Sequence, residues 1–190
     1  MQIDINDIAQ HYKNVLCKSP YFNSSKPVTD INLLYPPFKN LLSQSIQEFQ
    51  NSYPGVMVGI GETYRGLPLQ KYYKSVGSSK TSSGTHPLGI AADTTVNKKY
   101  LNALRAIYKK NGLTILGMWD PGHVQYIPIN LQAAAWSAVN NICSNDIPIK
   151  PEITDTEVSI NKLRKSASID PFLILFIFGV VVTIILKKYI

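Results

Sequence analysis

The chain has 190 residues, of which 45% are hydrophobic, 10% aromatic and 16% charged; that balance suits one folded domain with a real core and excludes a wholly disordered or collagen-like chain. Its formal net charge of +7, from 19 Lys+Arg against 12 Asp+Glu, favours polyanionic surroundings such as nucleic acid, anionic lipid or an acidic wall polymer without choosing among them. The two cysteines, Cys17 and Cys143, fit neither a CxxC metal clip nor a disulfide framework and are expected as free thiols.

The opening MQIDINDIAQ carries Asp4 and Asp7 and has no apolar run, so no secretory signal peptide is expected. Residues 1–37 read as an N-terminal arm, because the stretch 19–37 mixes Ser and Asn with Pro20, Pro27, Pro36 and Pro37. Phe38, Leu41, Leu42, Ile46 and Phe49 then follow helical spacing, and Pro54-Gly55 supplies the stop. Val56 to Ile60 reads as a short buried strand. A helix is expected from Leu67 or Pro68 to Val76-Gly77, followed by a flexible loop from Ser78 to Gly84. Leu88 to Thr95 reads as a strand and Lys98 to Asn111 as a helix ended by Gly112. Leu113 to Met118 and Val124 to Ile127 make two further strands, and Leu131 to Ile142 the last helix of a domain spanning 38–144.

Residues 145–170 are polar, with Pro148, Pro151 and the basic group Lys162, Arg164, Lys165, and read as a tether. Phe172 to Leu186 is apolar on nearly every face and is followed by Lys187-Lys188, so 171–190 reads as a membrane anchor. At ~1.5 Å per residue it covers roughly 22 Å, less than the ~30 Å hydrocarbon core, which calls for snorkelling lysines or local thinning. The fold expected is α+β, a small antiparallel sheet packed with helices, plus this C-terminal transmembrane helix.

Two histidines sit in settings that suggest chemistry. In Thr85-His86-Pro87-Leu88-Gly89-Ile90-Ala91-Ala92-Asp93, a strand from Leu88 places Gly89, Ala91 and Asp93 on one face. The carboxylate then points where small side chains leave room for a ligand or substrate backbone, and His86 can swing over that face. Asp120-Pro121-Gly122-His123 has the residues of a type II turn, which brings its ends within ~7 Å. His86, Asp93 and His123 would give three nitrogen and oxygen ligands with a fourth position left for water, as in catalytic zinc sites; Asp120 is left over as acid/base. Plainer readings stand beside these: Asp93 capping a turn before Thr94-Thr95, and Asp120 starting a turn or orienting His123.

His86-x-x-Gly89-x-Ala91-x-Asp93, followed by Asp120-x-x-His123 after Trp119, resembles the zinc peptidase family that includes D-alanyl-D-alanine carboxypeptidases and the L-alanyl-D-glutamate endopeptidases of phage lysins. Tyr64-Arg65, then Gln70-x-x-Tyr73-x-x-x-Gly77, is similar to that family's upstream segment, so the likeness covers roughly residues 56–127. It implies Zn2+ as cofactor, bound by His86, Asp93 and His123, with Asp120 as acid/base, Arg65 stabilising the oxyanion, and peptidoglycan stem peptides as substrate. The family commonly has Ser two residues before its first histidine, whereas Gly84 stands there in this chain.

Partners expected are peptidoglycan, a lipid membrane through residues 171–190 and other virion proteins. No nucleic-acid motif accompanies the basic charge, so nucleic acid is not expected. An anchor after the enzyme domain, without an export signal, points to a bacteriophage particle with its own membrane and a lytic role in entry; a lysis-stage enzyme at the host inner membrane is the alternative. A non-catalytic wall-binding module of the same fold is a further reading.

Overall fold

The computed structural model describes residues 3–140 and 142–143. Asp4 opens the first helix, α1 (Ile5–His11), by accepting the Asn6 N–H on Oδ1 at 2.8 Å, which satisfies one of the free amides at a helix start. The chain continues through a π turn at Tyr12–Leu16. α2 (Pro36–Ser52) carries two prolines in its first turn, where a missing N–H costs nothing. Its buried residues Phe38, Leu42, Ser45 and Phe49 lie at helical spacing and form one apolar stripe. The fully buried Phe38 and Phe49 each contribute about 2–3 kcal/mol through area removed from water. α3 spans Leu67–Ser75, α4 Leu101–Lys110 and α5 Gln132–Val139. α2 packs against α4, and α1 against α5.

The sheet has four short strands, β1 (Gly59–Ile60), β2 (Ala91–Thr95), β3 (Thr114–Ile115) and β4 (His123–Gln125), in the order β1-β2-β4-β3 with every pair antiparallel. The register of the central pair sets Ala91 opposite Gln125, Ala92 opposite Val124 and Asp93 opposite His123. Asp93 and His123, thirty positions apart in sequence, are thereby made neighbours by backbone pairing alone.

Several expectations are corrected. The segment read as an arm is folded into the domain: Ile8, Leu16, Leu33 and Leu34 are core residues, because α1 and the turns after it supply apolar faces that cover the sheet and α5. The strand expected from Leu88 begins at Ala91; His86–Leu88 is a 3-10 turn closed by Gly89 at φ +67°, a left-handed conformation that favours glycine. A Cβ on Gly89 would come 2.5 Å from the Leu33 carbonyl oxygen, so the room expected over Gly89 and Ala91 is filled by the chain's own N-terminal segment. Gly122 is not among the glycines with positive φ, so the expected type II turn is absent. That glycine is required instead by a close approach, since its Cβ would sit 2.6 Å from the Thr94 carbonyl oxygen.

Cys17 and Cys143 are joined in a disulfide, with Cα atoms 5.8 Å apart, instead of being free thiols. The packing of α1 on α5 is what brings two cysteines 126 positions apart together.

The fold is α+β with a small antiparallel sheet, but the transmembrane helix is corrected. Among the described residues no helix is long and apolar enough to cross a membrane; the longest, α2, has 17 residues and only one apolar stripe. The tether at 145–170 and the anchor at 171–190 lie outside the described residues. The described residues thus give no support to the membrane-anchored localisation or to the virion-membrane setting inferred from it.

Candidate metal and active site

Antiparallel pairing of β2 and β4 places Asp93 beside His123, and the 3-10 turn before β2 brings His86 onto the same carboxylate. His86 Nε2 lies 3.2 Å from Asp93 Oδ1 and His123 Nδ1 lies 3.3 Å from the same oxygen. The two imidazole rings meet edge to face with centroids 5.0 Å apart. One ligand atom from each of the three residues falls within 4.8 Å of the others. Two imidazole nitrogens and a carboxylate oxygen at this spacing can hold a metal ion, and the donor set suits zinc.

Burial pushes the His86 pKa down, against the hydrogen bond and charge of Asp93, which favours the neutral imidazole a metal requires. Burial alone would raise the Asp93 carboxyl. The His123 and His86 imidazoles beside it overcome that effect and hold the group well below the usual carboxylate range.

The three residues stand on the wall of a cavity of about 900 Å³ that also receives Arg65, Tyr73, Trp119, Asp120 and Trp136. All five residues to which the sequence reading gave roles therefore border one space. Asp120 is carried by the turn leading into β4, and that turn is fixed from outside: Arg105 donates to the Pro121 carbonyl at 2.8 Å and to the Leu116 carbonyl at 2.5 Å, while Thr94 Oγ1 donates to the Gly122 carbonyl at 3.1 Å.

Arg65 is clamped. Its Nε donates to Glu62 Oε2 at 2.9 Å and its Nη2 pairs with the same oxygen, Nη1 donates to Gln70 Oε1 at 3.0 Å, and its Cζ lies 4.6 Å from the Tyr73 ring centre. Of the five N–H groups of a guanidinium, three are engaged in this way. Gln70, fully buried, passes the arrangement on to the loop at 78–84 through Nε2, which donates to Ser79 Oγ at 3.0 Å and the Thr81 carbonyl at 2.6 Å.

That loop, flexible by composition, is held at both ends of the cavity. Trp136 Nε1 donates to the Gly84 carbonyl at 2.9 Å and Gln132 Nε2 to that of Ser83, so α5 steadies the approach to His86. Lys80 Nζ sits 3.7 Å over the Trp119 ring, joining the loop to the turn that bears Asp120. A side chain on Gly84 would meet the Gln70 amide at 2.9 Å, which accounts for glycine where the resembling family commonly has serine.

Sequence reasoning missed Glu62, Thr85, Gln125 and Trp136. Of these only Gln125 left a signal, since it shares with His123 one face of a strand at period two.

No protein-family model matches the chain, and no curated protein matches it. Among solved structures it is similar to the crystal structure of the Serratia marcescens L-Ala D-Glu endopeptidase ChiX, at 17% sequence identity and a TM-score of 0.42, over 55% of this chain and 86% of that one.

Proposed function

We propose that this protein is a zinc-dependent peptidase acting on the stem peptides of peptidoglycan. The observation that carries the reading is the convergence of His86 Nε2 and His123 Nδ1 on one oxygen of Asp93 at the wall of a cavity that also holds Asp120 and Arg65. The motif resemblance supports it: the same five residues are those that match the zinc peptidase pattern.

Zinc, when bound, supplies a Lewis acid for the scissile carbonyl and lowers the pKa of a water toward ~7. Asp93 and His123 on the β2–β4 pair, with His86 on the turn before β2, would hold it. Asp120 takes the proton of the attacking water and returns it to the leaving amine, work that a positioned carboxylate performs for about 10²–10⁴-fold in rate. Arg65 turns its unengaged N–H groups to the carbonyl oxygen as negative charge develops there. The Glu62 and Gln70 contacts fix that guanidinium in advance, so little reorganisation remains for the reacting state.

The test is digestion of purified peptidoglycan by the zinc-loaded protein, with the products identified by mass spectrometry of muropeptides. Wild type should release fragments cut within the stem peptide. Asp120→Ala should retain about one zinc per chain and lose about 10²-fold or more in rate, whereas His123→Ala should lose the metal. Equal digestion by wild type and Asp120→Ala would remove the assigned mechanism, and a wild type that takes up no zinc would remove the metallopeptidase reading.

A further inference from the structure

Behind His123, on the side away from Asp93, lies a small buried network with a fixed polarity. Gln125, 2% exposed, donates from Nε2 to the Ile127 carbonyl at 2.7 Å. A carbonyl only accepts, so the amide has one allowed orientation; turned over, it would set oxygen against oxygen. Gln125 Oε1 therefore faces back toward the site. There it accepts from Thr85 Oγ1 at 3.1 Å and lies 3.1 Å from His123 Nε2. An oxygen in that place calls for a proton on Nε2.

We infer that Gln125 is the positioning residue that holds His123 as the Nε2–H tautomer, so that Nδ1 presents a bare lone pair to a metal ion shared with Asp93 and His86. The inference deepens the zinc reading of the site and rests on it. Asp93 competes for the same proton, since its Oδ1 lies 3.3 Å from Nδ1. Exposure decides the contest. The Asp93 side chain is 37% exposed and already has His86 Nε2 at 3.2 Å, so water can hydrate what His123 does not. Gln125 Oε1 is cut off from solvent, and a bare Nε2 set against it would be a buried acceptor without a donor, facing a second acceptor, at a cost of about 1–3 kcal/mol. The Thr85 hydroxyl cannot relieve both, because its single proton is already directed at Gln125 Oε1 and His123 Nε2 is farther from it, at 3.5 Å.

With the proton on Nε2, His123 Nδ1 and Asp93 Oδ1 confront each other as two acceptors with no hydrogen between them. A cation is what such a pair attracts. Gln125 thus acts through His123, in the manner of the outer partners that set the orientation and basicity of metal-binding imidazoles.

The experiment reads the tautomer directly, using long-range proton–nitrogen correlation spectra of the 15N-labelled full chain, stripped of metal, at about pH 9, above the ordinary titration range of imidazole. Wild type should carry the His123 proton on Nε2. Gln125→Leu should move it to Nδ1. Zinc affinity, measured by competition with a chelator, should fall about 10–100-fold in Gln125→Leu. The Nδ1–H tautomer in wild type overturns the inference even if no variant folds, and so does a Gln125→Leu protein with the Nε2 proton and full zinc affinity. A wild type that shows the Nε2 proton yet binds no zinc supports the tautomer assignment while removing the peptidase reading, so the two failures are told apart.

Discussion

Cutting the bond between Cys17 and Cys143 should cost this protein a large share of its stability. The two residues are 126 positions apart, and closing a loop of that length removes enough disorder from the unfolded chain to stabilise the fold by about 5 kcal/mol on the chain-entropy relation. A domain of this size has a net stability of about 5–15 kcal/mol, so the loss is a third of the total or more. With a urea slope of about 1–3 kcal/mol per molar, the unfolding midpoint should move down by about 2–5 M. The assay compares oxidised wild type, wild type in reductant, and the Cys17→Ser/Cys143→Ser double variant, followed by tryptophan fluorescence. The reduced protein and the double variant should coincide. α5 holds the loop before His86 through Trp136 and Gln132, and peptidase activity should therefore decline at lower urea than the global signal once the bond is gone. Two thiols found reactive in denaturant without reductant, or coincident midpoints for the oxidised and reduced protein, would refute the argument.

Two further outcomes follow from buried charge. Burial lowers the pKa of His11 from 6.5, more than its hydrogen bond to the Leu33 carbonyl raises it; between the lowered value and 6.5 the unfolded chain binds more protons, so this contribution to stability is whole above 6.5 and is lost as pH falls through that window. His11→Gln should flatten the stability-versus-pH profile there in urea titrations, and identical slopes in the two proteins would show that His11 is not responsible. Glu62→Gln removes the carboxylate that orients Arg65; with both side chains about nine-tenths buried, the unpaired guanidinium should cost about 3 kcal/mol. In peptide hydrolysis that variant should lose rate while zinc content stays at the wild-type level, and loss of zinc instead would mean that Glu62 supports the metal site.

How much of this was legible in the sequence depends on the range of the interaction involved. Helices α2, α3 and α4 announce themselves locally, through apolar spacing, prolines in a first turn and glycines after a last one. The residues of the candidate site were also legible, because His, Asp and Arg in glycine- and proline-marked turns are few. Their meeting was inferred from ligand chemistry and from the motif resemblance; what the sequence did not show is how it comes about, through the register of two strands whose lengths it overstated. The N-terminal segment misled because four prolines hid helices and buried leucines that only a partner surface reveals. The disulfide was invisible for the same reason, as no local pattern records that α1 lies on α5. Glu62 and Gln125 are ordinary polar residues until the atoms they hold are known.

The β2–β4 register separates what must stay from what can change. The three residues that would grip a metal are set by the central strand pair and the turn entering it, whereas much of the cavity's remaining border comes from the loop at 78–84 and from α5. The first group tolerates almost nothing, because a shift of one position turns every side chain of a strand to the opposite face. The second is attached largely by hydrogen bonds to backbone carbonyls, with side-chain identity entering at Ser79, Lys80 and Gly84. On the proposed peptidase reading, exchange of the 78–84 segment, with Gly84 kept, would alter which peptide is accepted and leave His86, Asp93 and His123 where they are.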